Sequence, residues 1–257
     1  MMLPSITLKR DQILVLVVKD FKLKYNSTAL GFAWSLVVPF FISLIYYFVF
    51  GVMMRWAAEN YLLYLVSGNF MWQFFANAVM MNGRVLIGNS VLLKKTSFDR
   101  KLLIWGTLFT ESIHFILTIP VLIGIMVFYG VTPNWVSIVP NFLMLACLLP
   151  FFAVGVGYAY AAVNLYVRDL ERIMAIVMMA WLFVSPVFIP ISNVPERFLW
   201  IYKVNPMAGL LCIWRDIFYE PAFHPERLLY LVPICFGTFF IGRWIFCRLE
   251  PRFAEMM

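Results

Sequence analysis

The sequence predicts an all-α integral membrane protein with six transmembrane helices, and three observations support this. Hydrophobic residues make up 63% of the 257-residue chain and charged residues 13%, a composition that soluble domains do not show. Several uncharged runs reach the roughly 20 residues that a helix needs to cross about 30 Å of hydrocarbon. Fifteen of the 20 Lys and Arg residues lie in alternate connections between these runs. We therefore predict a single transmembrane domain over residues 1–257, without a linker.

The apolar runs define the predicted spans. They lie at about 31–54, 61–82, 102–129, 137–165, 172–190 and 228–247. The third and fourth spans come from one long apolar stretch, which the turn-forming sequence at 130–134 divides. Within the sixth span, Arg243 is expected to extend its charge to the membrane interface.

The basic residues orient these spans. Since positively charged loops stay on the cytoplasmic side, the side with fifteen basic residues is the cytoplasmic one, and both termini belong to it. The net charge of +7 is thereby explained by topology, and no nucleic acid partner is expected. The apolar run at 13–18 is too short for a signal peptide.

An amphipathic interface helix is predicted at 11–26, before the first span. Apolar residues recur there at helical spacing while Lys19 and Lys22 fall elsewhere, which is typical of a helix lying in the cytoplasmic interface. An ordinary juxtamembrane anchor would explain the same periodicity.

Metal and nucleotide sites are not expected in this chain. The four cysteines have no CxxC spacing and no histidine partner, which argues against a metal site or a disulfide framework. Residues 83–90 are one residue short of a phosphate-binding loop, because Asn89 stands where the essential lysine would be.

Two ionisable residues fall inside the third span. Glu111 and His114 are three residues apart and therefore share a helix face. An acidic residue at this depth costs about 2.5–3.5 kcal/mol on insertion scales, so it requires a partner. The simplest interpretation is an intramembrane polar pair with a structural role; a proton relay for a coupled transporter is the alternative.

The segment after the fifth span differs from a simple loop. Pro186, Pro190 and Pro195 punctuate it, and two short helices are predicted within 193–219, with Asn193 and Asn205 as their caps. We predict a periplasmic re-entrant helix pair between spans 5 and 6. Such backbone is tolerated only against protein or a water-filled cavity, which indicates a transport pathway.

A series of short motifs carries a family resemblance. In order, they are Lys19-Asp20-Phe21-Lys22-Leu23-Lys24-Tyr25, Ser27-Thr28-Ala29-Leu30-Gly31-Phe32-Ala33-Trp34, Leu93-Lys94-Lys95 with Phe98-Asp99-Arg100, Asn164-Leu165-Tyr166-Val167-Arg168-Asp169, and Asn205-Pro206. Over essentially its whole length the chain resembles the ABC-2 type permease, the transmembrane subunit of bacterial O-antigen and capsular polysaccharide exporters. One departure is Asp99, where the family often has proline.

The resemblance implies partners and a location. It implies a homodimer bound to two copies of a separate nucleotide-binding ATPase subunit, which would carry ATP and Mg while this chain holds no cofactor and is not an enzyme. The substrate would be a lipid-linked glycan on undecaprenyl diphosphate, handled among membrane lipids. The location would be the bacterial inner (cytoplasmic) membrane.

The resemblance also implies roles for particular residues. ATPase coupling would involve Lys94, Lys95, Phe98, Asp99, Arg100, Arg168, Asp169 and Arg172, and channel-lining aromatics would be Phe40, Tyr47, Phe50, Trp181 and Phe188. Lipid-facing packing is the ordinary explanation for such aromatics. For the diphosphate we expect Lys22, Lys24, Tyr25 and Arg84, because cations near the cytoplasmic leaflet form charge-assisted hydrogen bonds with phosphate.

Alternative functions remain open on the sequence. Within the ABC class the cargo could be an O-antigen, a capsule polymer, a teichoic acid or a drug. A proton-coupled secondary transporter would have to use Glu111 and His114. A membrane-embedded enzyme ranks last because the acidic residues are dispersed rather than clustered.

Overall fold

All regular structure in the described chain is helical. The computed structural model describes residues 4–25, 31–55, 60–93, 98–132, 135–218, 223–253 and 256, and these ranges contain no strand. The helices are α1 Pro4–Tyr25, α2 Trp34–Tyr46, α3 Tyr61–Gly88, α4 Ser90–Leu93, α5 Lys101–Phe128, α6 Trp135–Tyr166, α7 Leu170–Val184, α8 Leu199–Val204, α9 Pro206–Arg215 and α10 Leu228–Leu249. The all-α class is therefore confirmed for this part of the chain.

Four of the described helical segments are long and apolar enough to cross a membrane. They are Trp34–Met53, Lys101–Phe128, Ser137–Tyr166 and Pro225–Arg252. The other two predicted spans correspond to α3, which carries several amide side chains, and to α7, which has only 15 residues. Six spans and the re-entrant pair therefore remain predictions.

Helix α3 lies at the centre of the molecule. It packs against α2, α5, α6, α7 and α9, and most of its side chains between Leu63 and Phe75 are buried. Its lower hydropathy has a structural reason, because its polar groups face protein rather than lipid. Asn82, for example, accepts a hydrogen bond from Thr107 Oγ1 on α5, at 2.5 Å.

Helices α6 and α10 approach each other closely at two glycines. A side chain at Gly242 would overlap the carbonyl oxygen of Gly155, and a Cβ at Gly155 would lie 2.6 Å from the backbone of Phe239. Such a crossing requires small residues, which agrees with the small-residue spacing of Gly155 and Ala159 in the sequence.

Helix α2 contacts the core through half-buried aromatic residues such as Phe40 and Tyr46 and through a polar contact at Ser43. Ser43 is the buried residue among its described side chains, and its hydroxyl accepts a hydrogen bond of 2.8 Å from Asn69 Nδ2 on α3. The helix continues as a π-helix over Tyr47–Met53. Its outer surface, including Phe41 and Ile45, is exposed and apolar.

After α7 the chain turns back over the end of α3. The turn's carbonyl oxygens at Pro186, Val187 and Phe188 accept hydrogen bonds from side chains of α3 and α9; the donors are Tyr61, Tyr64 and Arg215. Asn205 caps α9 as predicted, because its Oδ1 accepts from the amide of Met207 at 3.0 Å.

Several boundaries differ from the predicted ones. Helix α1 begins at Pro4 instead of residue 11, and α7 ends at Val184 instead of residue 190. The first short outer helix begins at Leu199, since Asn193 belongs to a separate 3-10 turn. Helix α3 continues to Gly88, so the Arg84 region is part of α3 and not a separate short helix.

We expect Gly242→Ala to destabilise the protein. The added methyl group must push α10 away from Gly155, and such overpacking costs about 1–3 kcal/mol. Thermal unfolding of the purified protein in detergent measures this loss. Gly237→Ala on the same helix is the matched control, because its Cβ meets nothing within 4 Å. An equal melting temperature for the two variants would contradict the proposed crossing.

Candidate functional site

The main cavity of the protein lies between α1, α2, α3 and α5. Its volume is about 840 Å³. Apolar side chains form much of its wall, and polar groups enter it from all four helices: Asp20, Lys24, Ser35, Gln73, Asn77, Thr110, Glu111 and His114. Concave, mostly apolar cavities with a few convergent polar groups are where ligands usually bind.

A three-residue polar cluster occupies one wall of this cavity. The buried Glu111 Oε1 lies 3.3 Å from Lys24 Nζ and 3.4 Å from His114 Nδ1. The prediction that Glu111 and His114 would meet agrees with this geometry. Lys24, however, is a third member that helical spacing does not reveal, because it is 87 residues from Glu111 in the sequence.

Helix α1 is aligned along the first half of α5. Lys9 Nζ lies 3.2 Å from Asp99 Oδ2, just before α5 begins. Farther along, Leu16 packs on Gly106, and the ring of Phe21 lies 4.9 Å from that of His114. The helix predicted to lie in the membrane interface is thus also attached to α5 along its length. Its opposite face, with Leu14, Val15 and Val18, is exposed and apolar.

The residues expected to bind a diphosphate do not form one cluster. Lys22 is exposed, whereas Lys24 is engaged with Glu111. Arg84 Nε donates to Glu171 Oε1 at 2.7 Å, and this hydrogen bond lowers the pKa of Glu171. The side chain of Tyr25 lies outside the described residues.

Asp20 adds a second carboxyl group to the cavity. It belongs to α1, and burial raises its pKa, although Lys19 opposes this effect. Glu111 contributes to the raised pKa by repulsion. The cavity thus contains two carboxyl groups, Asp20 and Glu111, beside the amine of Lys24 and the imidazole of His114.

The predicted channel aromatics pack within the protomer. Phe50 and Phe188 are in contact, with ring centroids 5.0 Å apart, and Tyr47 lies beside Tyr61. The π-helix from Tyr47 onward changes the angular spacing of the side chains, so the face expected from α-helical periodicity is rotated there.

The two remaining aromatics in that set lie at different places. Phe40 is half-buried on α2, with its ring centroid 6.3 Å from that of Phe41. Trp181 packs against Trp72 and donates to Asn205 Oδ1 at 2.8 Å. It thereby connects α7 to the cap of α9.

The first predicted coupling connection is attached to the turn Glu250–Arg252 that follows α10, here named the C-terminal turn. Lys94 and Lys95 lie outside the described residues, and Phe98 is half-buried. Asp99 Oδ1 accepts from the amide of Lys101 at 3.2 Å, as expected of a capping residue. Arg100 donates to the carbonyl of Glu250 at 2.9 Å.

The second predicted coupling connection meets the same C-terminal turn. Arg168, Asp169 and Arg172 are exposed at the start of α7. Next to them, the hydroxyl of Tyr166 donates to the carbonyl of Leu249 at 3.1 Å. The end of α10 and the turn after it thus contact residues at both connections, an arrangement that no pattern in the sequence indicates.

Similarity to known proteins agrees with this architecture. Residues 11–219 match the family described as ABC-2 type transporter. The chain belongs to this family. It is 34% identical to the O-antigen export system permease protein RfbA of Klebsiella pneumoniae, over 96% of this chain and 95% of that protein.

More distant relatives extend the comparison. The chain is 28% identical to an O-antigen export system permease protein RfbA of Myxococcus xanthus, over 96% of this chain and 95% of that protein. It is 22% identical to the capsule polysaccharide export inner-membrane protein CtrC of Neisseria meningitidis, over 80% of this chain and 78% of that protein. This ABC-2 type protein is therefore a multi-pass membrane protein with relatives in polysaccharide export.

Sequence reasoning missed several residues of the cavity. Gln73 and Asn77 are four residues apart in the second predicted span, and this spacing was a signal that both face one direction. Asp20 and Trp34 carried no comparable signal, because their position depends on how α1 and α2 pack.

We expect Glu111→Gln to loosen α1. The substitution removes the negative charge that Lys24 contacts, and the loss should be about 1 kcal/mol because Lys24 is partly exposed. Amide hydrogen exchange in α1 should then accelerate by about fivefold. Ser112→Ala is the control, since among the described residues that hydroxyl bonds to Leu108 of its own helix and to no other. Unchanged exchange in Glu111→Gln would show that the cluster does not hold α1.

Proposed function

We propose that this chain is the channel subunit of an ATP-driven exporter that moves undecaprenyl-diphosphate-linked polysaccharide of the O-antigen type from cytoplasm to periplasm. The observation that carries the proposal is the end-to-end similarity to O-antigen export permeases. Membership of the ABC-2 type family supports ATP as the energy source. The chain's phosphate-loop-like segment lacks its lysine, so ATP and Mg would bind to a partner subunit.

The proposed assembly is a homodimer of this chain with two ATPase subunits. The exposed apolar surfaces of α2 and α7, which include Phe41, Ile45, Ile176 and Met179, provide the area for packing between protomers and against lipid. Both termini would lie in the cytoplasm, where the basic residues concentrate.

Energy coupling would use the two connections that contact the C-terminal turn. The ATPase subunits would bind to the segments around Phe98–Arg100 and Arg168–Arg172, in which Arg168 and Arg172 are exposed. Their movement would be transmitted to α5 and α7, which begin directly after these segments. The outer helices α8 and α9 would line the exit of the pathway.

A capsule polysaccharide is the second candidate cargo. The similarity to a capsule export inner-membrane protein supports it. The O-antigen proposal has the stronger support, since that similarity is higher in identity and covers more of the chain.

A proton-coupled transporter receives less support. Its required site, Glu111 with His114, also includes Lys24 at 3.3 Å. A carboxylate with a cationic partner is what a structural ion pair needs, whereas a proton carrier would have to break that contact in each cycle.

ATP hydrolysis by the purified protein tests the proposed class. We expect no ATP turnover when this chain is purified alone, and turnover when it is co-expressed with the ATPase encoded beside it. The control is a partner whose phosphate-loop lysine is replaced, which should assemble normally but not hydrolyse ATP. If no ATPase subunit associates while the chain alone transports a substrate, the proposal is wrong.

Neutralising Lys22 and Arg84 tests the diphosphate contact. Both side chains are exposed. We expect the double variant Lys22→Gln/Arg84→Gln to bind undecaprenyl diphosphate about tenfold more weakly, because charge-assisted hydrogen bonds are lost. Binding to the complex in lipid nanodiscs is the measurement.

A matched variant controls for the change in net charge. Arg248→Gln/Arg252→Gln also removes two positive charges at the cytoplasmic side, from exposed positions at the C-terminal end. This variant should bind undecaprenyl diphosphate as the wild type does. Equal weakening in both double variants would mean that overall charge, and not a specific site, attracts the lipid.

A further inference from the structure

Two amide side chains of α3 line the main cavity. Gln73 and Asn77 are one helical turn apart and line the same wall. Within the described part of the chain, neither side chain makes a hydrogen bond to another residue. Each amide has two N–H donors and an acceptor oxygen, so the wall presents both kinds of hydrogen-bonding group.

Both amides are open to a ligand. They lie in the middle of α3, a helix that is otherwise largely buried, but Gln73 is only half-buried and Asn77 is exposed on the cavity side. A ligand with both donors and acceptors could replace the water at these amides without loss of hydrogen bonds, whereas a purely apolar lipid chain could not.

The charges of the cavity disfavour a phosphate group inside it. Asp20 and Glu111 supply two carboxyl groups, and Lys24 is already engaged with Glu111. The two carboxyl groups would repel a diphosphate, and both basic side chains of the cavity, Lys24 and His114, already contact Glu111. Hydroxyl groups, by contrast, donate readily to carboxylates, and such charge-assisted hydrogen bonds are the stronger ones.

An aromatic ring completes the cavity. Trp34, at the start of α2, lines the cavity and remains partly exposed. Its ring offers a flat apolar surface beside the hydroxyl-binding groups. Carboxylates, amides and an indole ring together match a sugar, which has hydroxyls around its edge and an apolar C–H face.

We propose that this cavity binds the sugar residues nearest the diphosphate of the exported lipid-linked glycan. Gln73, Asn77 and Asp20 would hydrogen-bond the sugar hydroxyls, and Trp34 would stack on the ring. The volume of about 840 Å³ is in the range of about 300–1,000 Å³ that is usual for small-molecule sites. This inference rests on the proposed function, and it adds a site that selects the glycan.

The position of the cavity fits this role. It adjoins the C-terminal end of α1, which carries Lys22 and Lys24. A diphosphate attracted to the exposed Lys22 would place the sugar bonded to it next to the cavity. Lipid recognition and sugar recognition would then use neighbouring but separate groups.

Binding of two probes to the complex with its ATPase, in lipid nanodiscs, tests the proposal. The probes are undecaprenyl diphosphate and the lipid-linked glycan extracted from source cells that lack this permease. We expect Gln73→Ala/Asn77→Ala to weaken glycan-lipid binding at least about tenfold, because hydrogen bonds to hydroxyls are lost. Binding of undecaprenyl diphosphate should stay within about twofold of the wild type.

Two further variants guard against misfolding and nonspecific effects. Trp34→Leu removes the aromatic surface without touching the amides and should also weaken only glycan-lipid binding. Ile87→Ala, at an exposed position on α3, should change neither affinity. The melting temperature of each complex is measured alongside, and the nearly isosteric apolar pair Gln73→Met/Asn77→Leu, which should weaken glycan-lipid binding in the same way, is used if the alanine variant does not assemble.

Each outcome decides the proposal. Selective loss of glycan-lipid binding supports the sugar site. Equal weakening of both probes would place the diphosphate in the cavity and overturn the proposal, as would unchanged binding of both. If the wild-type complex binds neither probe, the proposed function itself is wrong, and the sugar site falls with it.

Discussion

The structure depends on satisfying backbone carbonyls where the chain turns back after α7. In a membrane, backbone groups that leave a helix have no water to bond to. Arg215 donates to the carbonyls of Val187 and Tyr64 and lies over the ring of Tyr64, 3.4 Å from its centroid. Tyr61 and Tyr64 supply further donors. The buried cation thus fixes the turn and α9 onto the N-terminal end of α3.

The need to give polar groups inside the protein hydrogen-bond partners explains which helices could be predicted from the sequence and which could not. Hydropathy and charge identified the helices that face lipid, such as α5, α6 and α10, because contact with lipid demands apolar side chains. Helix α3 has a different requirement, since Asn69, Asn82 and its tyrosines bond to neighbouring elements. Helix α7 ends at Val184, earlier than predicted, because Arg215 stabilises the turn that contains Pro186. In the sequence, Arg215 was only one of the 20 basic residues, and nothing linked it to this turn.

In the candidate site, too, a contact within one helix could be predicted from the sequence, whereas contacts between helices could not. The Glu111–His114 contact was predictable because both residues belong to one helix and one face. The contact of Lys24 with Glu111 and that of Arg84 with Glu171 each join residues 87 apart, so no periodicity within one helix encodes them. Tyr47 and Phe50 are likewise rotated away from the face expected for an α-helix, because they lie in a π-helix that the apolar sequence does not predict.

The contacts of the C-terminal turn connect distant parts of the protein mechanically. Glycines 155 and 242 hold α6 and α10 together, and the end of α10 reaches Arg100 through the carbonyl of Glu250. Asp99, next to Arg100, contacts Lys9 of α1, and the other end of α1 reaches Glu111 in the cavity. A force applied at the start of α5 therefore acts on two helices at once. Because packed helices shift as rigid units, the cavity is mechanically linked through α1 to the start of α5.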